Sequence, residues 1–191
     1  ETLNGGYVIL SSVDLYYSNL TRQLHLIKTD EFGIEEWSSN FGENGYDYGE
    51  SIIQNTQGEY IIAGSKTVYN DPPEHPYTSS SDLFLFKTDT LGNELWNQEY
   101  GGDIDEFWNQ YTTHEYGFSV IEDHDEEGYM VLGTNANKLW LIKTDLDGIE
   151  QWSHIFEEYQ LAAQGQYCDA CMLISTSDDY YMILTNIIIE G

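Results

Sequence analysis

Three lysines, Lys28, Lys87 and Lys143, occupy one position of a repeated pattern, 59 and 56 residues apart, in a chain with only six Lys and Arg. A reactive amine would need one privileged lysine in a desolvated pocket. A lysine carried by every copy reads instead as a structural cation, held by a carboxylate or a hydrogen bond from a neighbouring strand. The two cysteines, Cys168 and Cys171, have the spacing of a redox motif or half a zinc site. Zinc would need a second pair, and the histidines at 25, 75, 114, 124 and 154 offer no paired ligand spacing. A redox motif would open a helix, whereas Met172 begins a strand pattern. A local disulfide in an oxidising compartment is the first reading, two free thiols the second, and zinc or redox chemistry the last.

Acidic clusters stand at Asp103-Ile-Asp105-Glu106, at 123–127 and at Asp145-Leu-Asp147-Gly148. Calcium takes several oxygen ligands from a loop, and Asp145 and Asp147 sit two apart before a glycine, so they are the candidate metal ligands. The full twelve-residue calcium loop is absent, and the matching turns at 30–33 and 89–92 lack the second Asp. The sequence requires no cofactor; calcium is the one cation it suggests, against the plain alternative of solvated acids. There is no Gly-x-Ser-x-Gly, no phosphate-binding glycine loop and no His-Glu-x-x-His, so no catalytic residue is assigned. The remaining chemistry is aromatic. Phe107, Trp108 and Tyr111 lie in a non-repeated insertion, where exposed rings would stack on a sugar or anchor a protein partner. The competing reading is that Trp108 packs under its own loop.

These residues hang on a repeat. Leu-x-Leu-(Ile/Phe)-Lys-Thr-Asp-x-x-Gly-x-x-x-Trp occurs at 24–37, 83–96 and 139–152. The first half is a strand with apolar residues on both faces. Asp30, Asp89 and Asp145 cap the turn, and Gly33, Gly92 and Gly148 supply positive φ for the reversal into a partner strand. Trp37, Trp96 and Trp152 each follow that glycine by four residues, so the indole should pack at one place in every unit. A second strand recurs at 6–10, 58–64, 128–133 and 179–184, preceded in the last three copies by short strands at 51–54, 119–122 and 171–174. Four short strands per unit of about 55 residues is the signature of propeller blades.

The reading is one all-β domain over residues 1–191, with antiparallel units at about 6–54, 58–122 and 128–174 and a partial unit at 179–191. About three blades and part of a fourth are too few to close a ring of about four to eight, so the chain is expected to be an open arc or a fragment of a larger propeller. Further blades of the same polypeptide, or another subunit, would complete it. The insertions at 67–82, 101–116 and 157–167 fall on alternate connections, which puts them on one face and makes that face the expected recognition surface.

Gly-Tyr-Ile-Ile-Ala-Gly, Leu-Ile-Lys-Thr-Asp-x-x-Gly-x-x-x-Trp and Tyr-Asp-Tyr-Gly-x-Ser-Ile-Ile together resemble a β-propeller repeat of secreted and surface proteins of archaea and bacteria. The resemblance covers nearly the whole chain and is closest over 46–64 and 83–102. It implies a non-enzymatic scaffold or binding module, extracellular or at the cell surface; the long-loop face with its aromatic insertion is where a protein or glycan ligand is expected. The Asp-x-x-Gly-x-x-x-Trp part is also similar to the tryptophan-docking repeat of quinoproteins, without their cofactor-site constellation. The formal charge of −28 repels nucleic acid and anionic membranes. No apolar run reaches the roughly 18 residues of a membrane span. The alternative function is an extracellular glycan-active hydrolase or accessory domain using surface carboxylates.

Overall fold

The computed structural model describes residues 1–15, 21–42, 45–70, 78–101, 114–161, 171–178, 180–185 and 187–188, and among them every regular element is a strand. Strands β1 (Tyr7–Leu15), β2 (Thr21–Thr29) and β3 (Glu35–Phe41) form an antiparallel meander. A second meander contains β4 (Tyr46–Gln54), β5 (Tyr60–Asn70), β6 (Thr78–Thr88) and β7 (Glu94–Tyr100). The third contains β8 (Glu115–Glu122), β9 (Gly128–Asn135), β10 (Lys138–Asp145) and β11 (Glu150–Leu161), with β14 (Ile187–Ile188) on its edge. Finally β12 (Met172–Ser175) pairs with β13 (Tyr181–Leu184). One parallel bridge, Arg22 to Tyr46, ties the first meander to the second, and Ser81 to His114 repeats it between the second and third.

These sheets have the expected period but a different phase. The sequence units 58–122 and 128–174 begin at the Gly-Tyr strand, whereas each complete sheet begins one strand earlier, at β4 and at β8. A repeat fixes a period and leaves its starting point open; the hydrogen bonds decide it. Ser51 to Gln54 pair with β5, and Ser119 to Glu122 with β9, through short turns. The links from β3 to β4 and from β7 to β8 carry no ladder. The expected alternation of edges survives the shift. The Asp-x-x-Gly turns and the turns before β5 and β9 share one edge, and the connections 71–77 and 102–113 join strands at the other.

Turn chemistry explains the hairpins. Asp30 Oδ1 accepts the N–H groups of Phe32 and Ile34 at 2.9 and 2.8 Å. Asp89 does the same for Leu91 and Asn93, and Asp145 for Asp147 and Ile149. Each carboxylate satisfies two backbone donors that the reversal leaves unpaired. Gly33, Gly92 and Gly148 have φ of 80°, 78° and 76°, which a side chain resists.

Packing follows the two-residue alternation of the strands. In the first sheet Leu24 and Leu26 point toward the second and meet Tyr60, Ile62, Phe84 and Phe86. In the second, Ile61, Ala63, Leu83 and Leu85 point the other way and meet Val120, Tyr129, Val131, Trp140 and Ile142. Met130, Leu132, Leu139 and Leu141 of the third then pack with Leu173, Tyr181 and Ile183. Apolar packing between successive sheets therefore recurs three times. The serines of the first strands bind it: Val120 N–H donates to Ser51 Oγ at 3.2 Å, and Leu173 N–H to Ser119 Oγ at 3.1 Å.

Candidate functional site

At the edge of the short turns Lys28 and Lys87 are buried against their neighbours, and Lys143 is partly buried. Lys28 Nζ donates to Glu36 at 2.7 Å and to the carbonyls of Thr29 and Gly5 at 2.6 and 3.2 Å. Lys87 pairs with Glu59 at 2.6 Å, and Lys143 with Asp123. The lysine position is constant while its acid moves, from the hairpin partner in the first sheet to the preceding turn in the second and third. A buried ammonium must be compensated, but any carboxylate within reach will serve.

The next sheet joins this network. Asn55, in the turn before β5, donates to the hydroxyl of Tyr129 at 3.3 Å. At the matching place in the third sheet Asp123 accepts a hydrogen bond from Tyr181. Burial works against the Lys87 charge, yet the Glu59 hydrogen bond and the Tyr129 oxygen outweigh it and raise the pKa. At Lys143 burial prevails and lowers it, and burial also pushes the Asp123 carboxyl up. Lys87 is thus held protonated, which suits an ion pair and not a nucleophile.

Two of the three repeated tryptophans, Trp37 and Trp96, reach across a joint. Trp37 lies over Gly92, where an added Cβ would come within 2.7 Å of the indole, and Trp96 lies over Gly148 at 2.8 Å. Their rings also meet Tyr60 and Tyr129 of the next sheet, with centroids 6.0 and 6.2 Å apart. The constant indole site thus belongs to two units: the tryptophan of one sheet caps the turn of the next. Trp152 is 46% exposed, and beside it lies a cavity of about 490 Å3 walled by Asp123, His124, Lys143 and Tyr181. Nothing comes within 4 Å of a Cβ built on Gly33.

No protein-family model matches this chain. No curated protein matches it either. The candidate site therefore rests on its own geometry.

At the opposite edge, two buried acids stand where the first strands begin, Asp47 in β4 and Glu115 in β8. Gly42 and Gly101, at φ of 121° and 111°, make room for them, since an added Cβ would reach 2.1 Å from Asp47 Oδ2 and 2.9 Å from Glu115 Cγ. Arg22 forks onto Asp14 at 2.6 and 3.0 Å and covers the ring of Tyr48 at 4.9 Å. Burial lowers the pKa of His114. Burial and the neighbouring Glu99 raise that of Asp82, against the pull of Lys66.

The expected contact residues Phe107, Trp108 and Tyr111 fall in 102–113 and lie outside the described residues, as does Cys168. Cys171 is half-buried in the third joint, with Sγ 3.3 Å from Thr185 Oγ1. Asp145 spends Oδ1 on its own turn, as Asp30 and Asp89 do, and Asp147 is exposed. Among the described residues no group of three or more His, Cys, Asp or Glu side chains is gathered as metal ligands would be. Sequence reasoning missed Asn55, Asp123, Tyr129 and Tyr181. Their signal was present, since Asn55 and Asp123 occupy one turn position and the tyrosines one strand position.

Proposed function

We propose that this chain is a non-enzymatic recognition scaffold of the β-propeller type, acting outside the cell or at its surface and holding a protein or glycan at the long-connection edge. The observation that carries this reading is that successive sheets pack through apolar joints lined by recurring lysine–carboxylate pairs, while the Asp-x-x-Gly turns stay short and alike. Short turns that cap tryptophans have no freedom to vary, whereas long loops of different sequence cost little stability and can carry specificity. The repeat resemblance supports the blade-like arrangement and an extracellular setting. Further units, from the same polypeptide or another subunit, would extend the stack through the joint already used. Calcium at Asp145 and Asp147 remains part of this reading as an auxiliary ion, tested by whether calcium raises the melting temperature more than sodium chloride of equal ionic strength.

The test is a glycan array and a surface-protein pull-down with the wild type and with Trp108→Ala. Binding should weaken in the variant while the melting temperature stays within about 1 °C, as for an exposed loop side chain. Loss of several kcal/mol of stability instead would make Trp108 core, as for a buried aromatic. Turnover of any polysaccharide, abolished by replacing one or two carboxylates, would establish the hydrolase instead.

A further inference from the structure

Every later sheet begins with a strand that the first sheet lacks among the described residues. β4 pairs with β5, β8 with β9 and β12 with β13, in each case the strand that carries the recurring tyrosine. β1 is the matching strand of the first sheet: Tyr7 faces Thr29 as Tyr60 faces Thr88 and Tyr129 faces Thr144. One edge of β1 pairs with β2, and no described strand takes the other. That edge runs for nine residues, Tyr-Val-Ile-Leu-Ser-Ser-Val-Asp-Leu, with no proline and no lysine. Its one charge, Asp14, lies near the end. Sheets blunt an idle edge with charged side chains or proline, and the free edges of β3 and β7 carry Glu35, Glu36, Glu94 and Glu99. β1 has the composition of a strand paired on both sides.

A second observation concerns Ile52 of β4. In β8, Val120 N–H donates to Ser51 Oγ of the sheet before, and in β12, Leu173 N–H donates to Ser119 Oγ. Ile52 holds the same place in the second sheet, facing Ile62 as Val120 faces Val131 and Leu173 faces Ile183. For Ile52 the serine would have to come from a first strand of the first sheet. The registers fix where that serine sits. Ser51 lies opposite Ala63 and Ser119 opposite Leu132, and the residue of β1 at that position is Leu10. Leu10 already reaches the second sheet, where a Cβ built on Gly49 would come within 2.7 Å of its side chain. β4 and β8 share one pattern around the serine, Gly49-Glu-Ser51-Ile-Ile53 and Gly117-Phe-Ser119-Val-Ile121.

We infer that the free edge of β1 is a docking site for an extended partner strand of the pattern Gly-x-Ser-aliphatic-aliphatic, its serine opposite Leu10 and accepting the N–H of Ile52. Main-chain hydrogen bonds along β1 supply the affinity, and the serine link sets the register. A second copy of this chain is a poor donor. Its β4 and β8 carry the pattern but are already paired with β5 and β9, and its β12 has Met172 where the serine belongs. The net charge of −28 favours a strand that is neutral or basic. The inference rests on the blade-like reading of the sheets but uses no residue of 102–113, so strand binding and glycan binding fail separately.

The experiment titrates the isotope-labelled 191-residue chain with a capped peptide and follows the amide signals by NMR. The peptide has the sequence of residues 46–54 with Asp47→Asn and Glu50→Gln, which removes its charge. Signals of β1 and of Ile52 should shift together and saturate, with a dissociation constant below about 1 mM. Solvent exchange of the Ile52 amide should slow. The same peptide with Ser51→Ala should bind about fivefold more weakly, the equivalent of one net hydrogen bond, and should not slow that exchange. Absence of binding overturns the inference, as does binding that leaves β1 and Ile52 unmoved, or equal affinity of the two peptides. Signals of β1 that shift with protein concentration alone would assign the edge to a second copy and overturn it too. A chain that takes the peptide but no glycan would fail the proposed function and keep this inference.

Discussion

At the joint between the second and third sheets, Trp140, Tyr100 and Ile155 close over one another; at the joint before it, Phe84, Phe41 and Glu99 take the same positions and leave a cavity of about 410 Å3. The frame is otherwise shared. Both joints have the indole over the turn glycine, the buried lysine with a carboxylate, and the parallel bridge between neighbouring sheets. A repeat thus separates two tasks. Positions near the turns hold the sheets in line and keep their residue types, while positions further along the strands set how much space is left.

The largest expected effect tests the filling itself. Trp140→Ala should cost about 3–5 kcal/mol in chemical denaturation, as removal of a buried aromatic does. Phe84→Ala should cost less, because its surroundings already include a cavity and can relax into it. Equal losses would mean that both joints are packed alike. A smaller contrast concerns the shared frame. Gly92→Ala and Gly148→Ala force a side chain into positive φ, at about 1–3 kcal/mol, and in addition push against Trp37 and Trp96. Gly33→Ala has the same backbone cost with open space around it. It should therefore be the mildest of the three; if it is not, the indoles yield without penalty and do not hold the joint.

The smallest effect is on pH dependence. Burial raises the pKa of Glu50, Asp82, Glu122 and Asp123 above their ordinary values of 4.5, 3.8, 4.5 and 3.8. Between the ordinary and raised values the folded chain binds protons that the unfolded chain has lost. Stability from these groups is therefore complete below the ordinary value and is lost as pH climbs through the raised one. Asp14 and Asp89 shift downward through the Arg22 and Asn93 hydrogen bonds, but both are at the surface, where solvent screens them. Melting temperature should rise as pH falls from neutrality toward the carboxylate range, helped by partial discharge of the acidic surface. Asp123→Asn, which installs the residue present at position 55, should flatten that slope. An unchanged slope would assign the effect to the surface charge.

How much of this was legible differs between fold and site. Three Asp-x-x-Gly turns and four Gly-Tyr-like strands announced an all-β repeat, because capping carboxylates and positive-φ glycines act locally. The phase of the sheets was not legible, since it depends on which of two adjacent strands the β4 serine segment pairs with. Lys28, Lys87 and Lys143 were recognisable as paired structural cations. Their partners Glu36, Glu59 and Asp123 were not, because they lie at different offsets in the sequence. The cavity between the first two sheets was illegible for a related reason: Phe41 and Phe84 become neighbours only once two sheets have stacked.

The serine links have a mechanical consequence. Ser51 and Ser119 tie the first strand of one sheet to the first strand of the next, beside the parallel bridges, hydrogen bonds such as Asn55 to Tyr129 and Tyr100 to Gly148, and side-chain packing. Because among the described residues each sheet leans mainly on its immediate neighbours, a load applied across them passes from joint to joint. Force spectroscopy should record a staircase, one step per sheet, with the small β12–β13 pair giving way first and the tightly filled joint of Trp140 last.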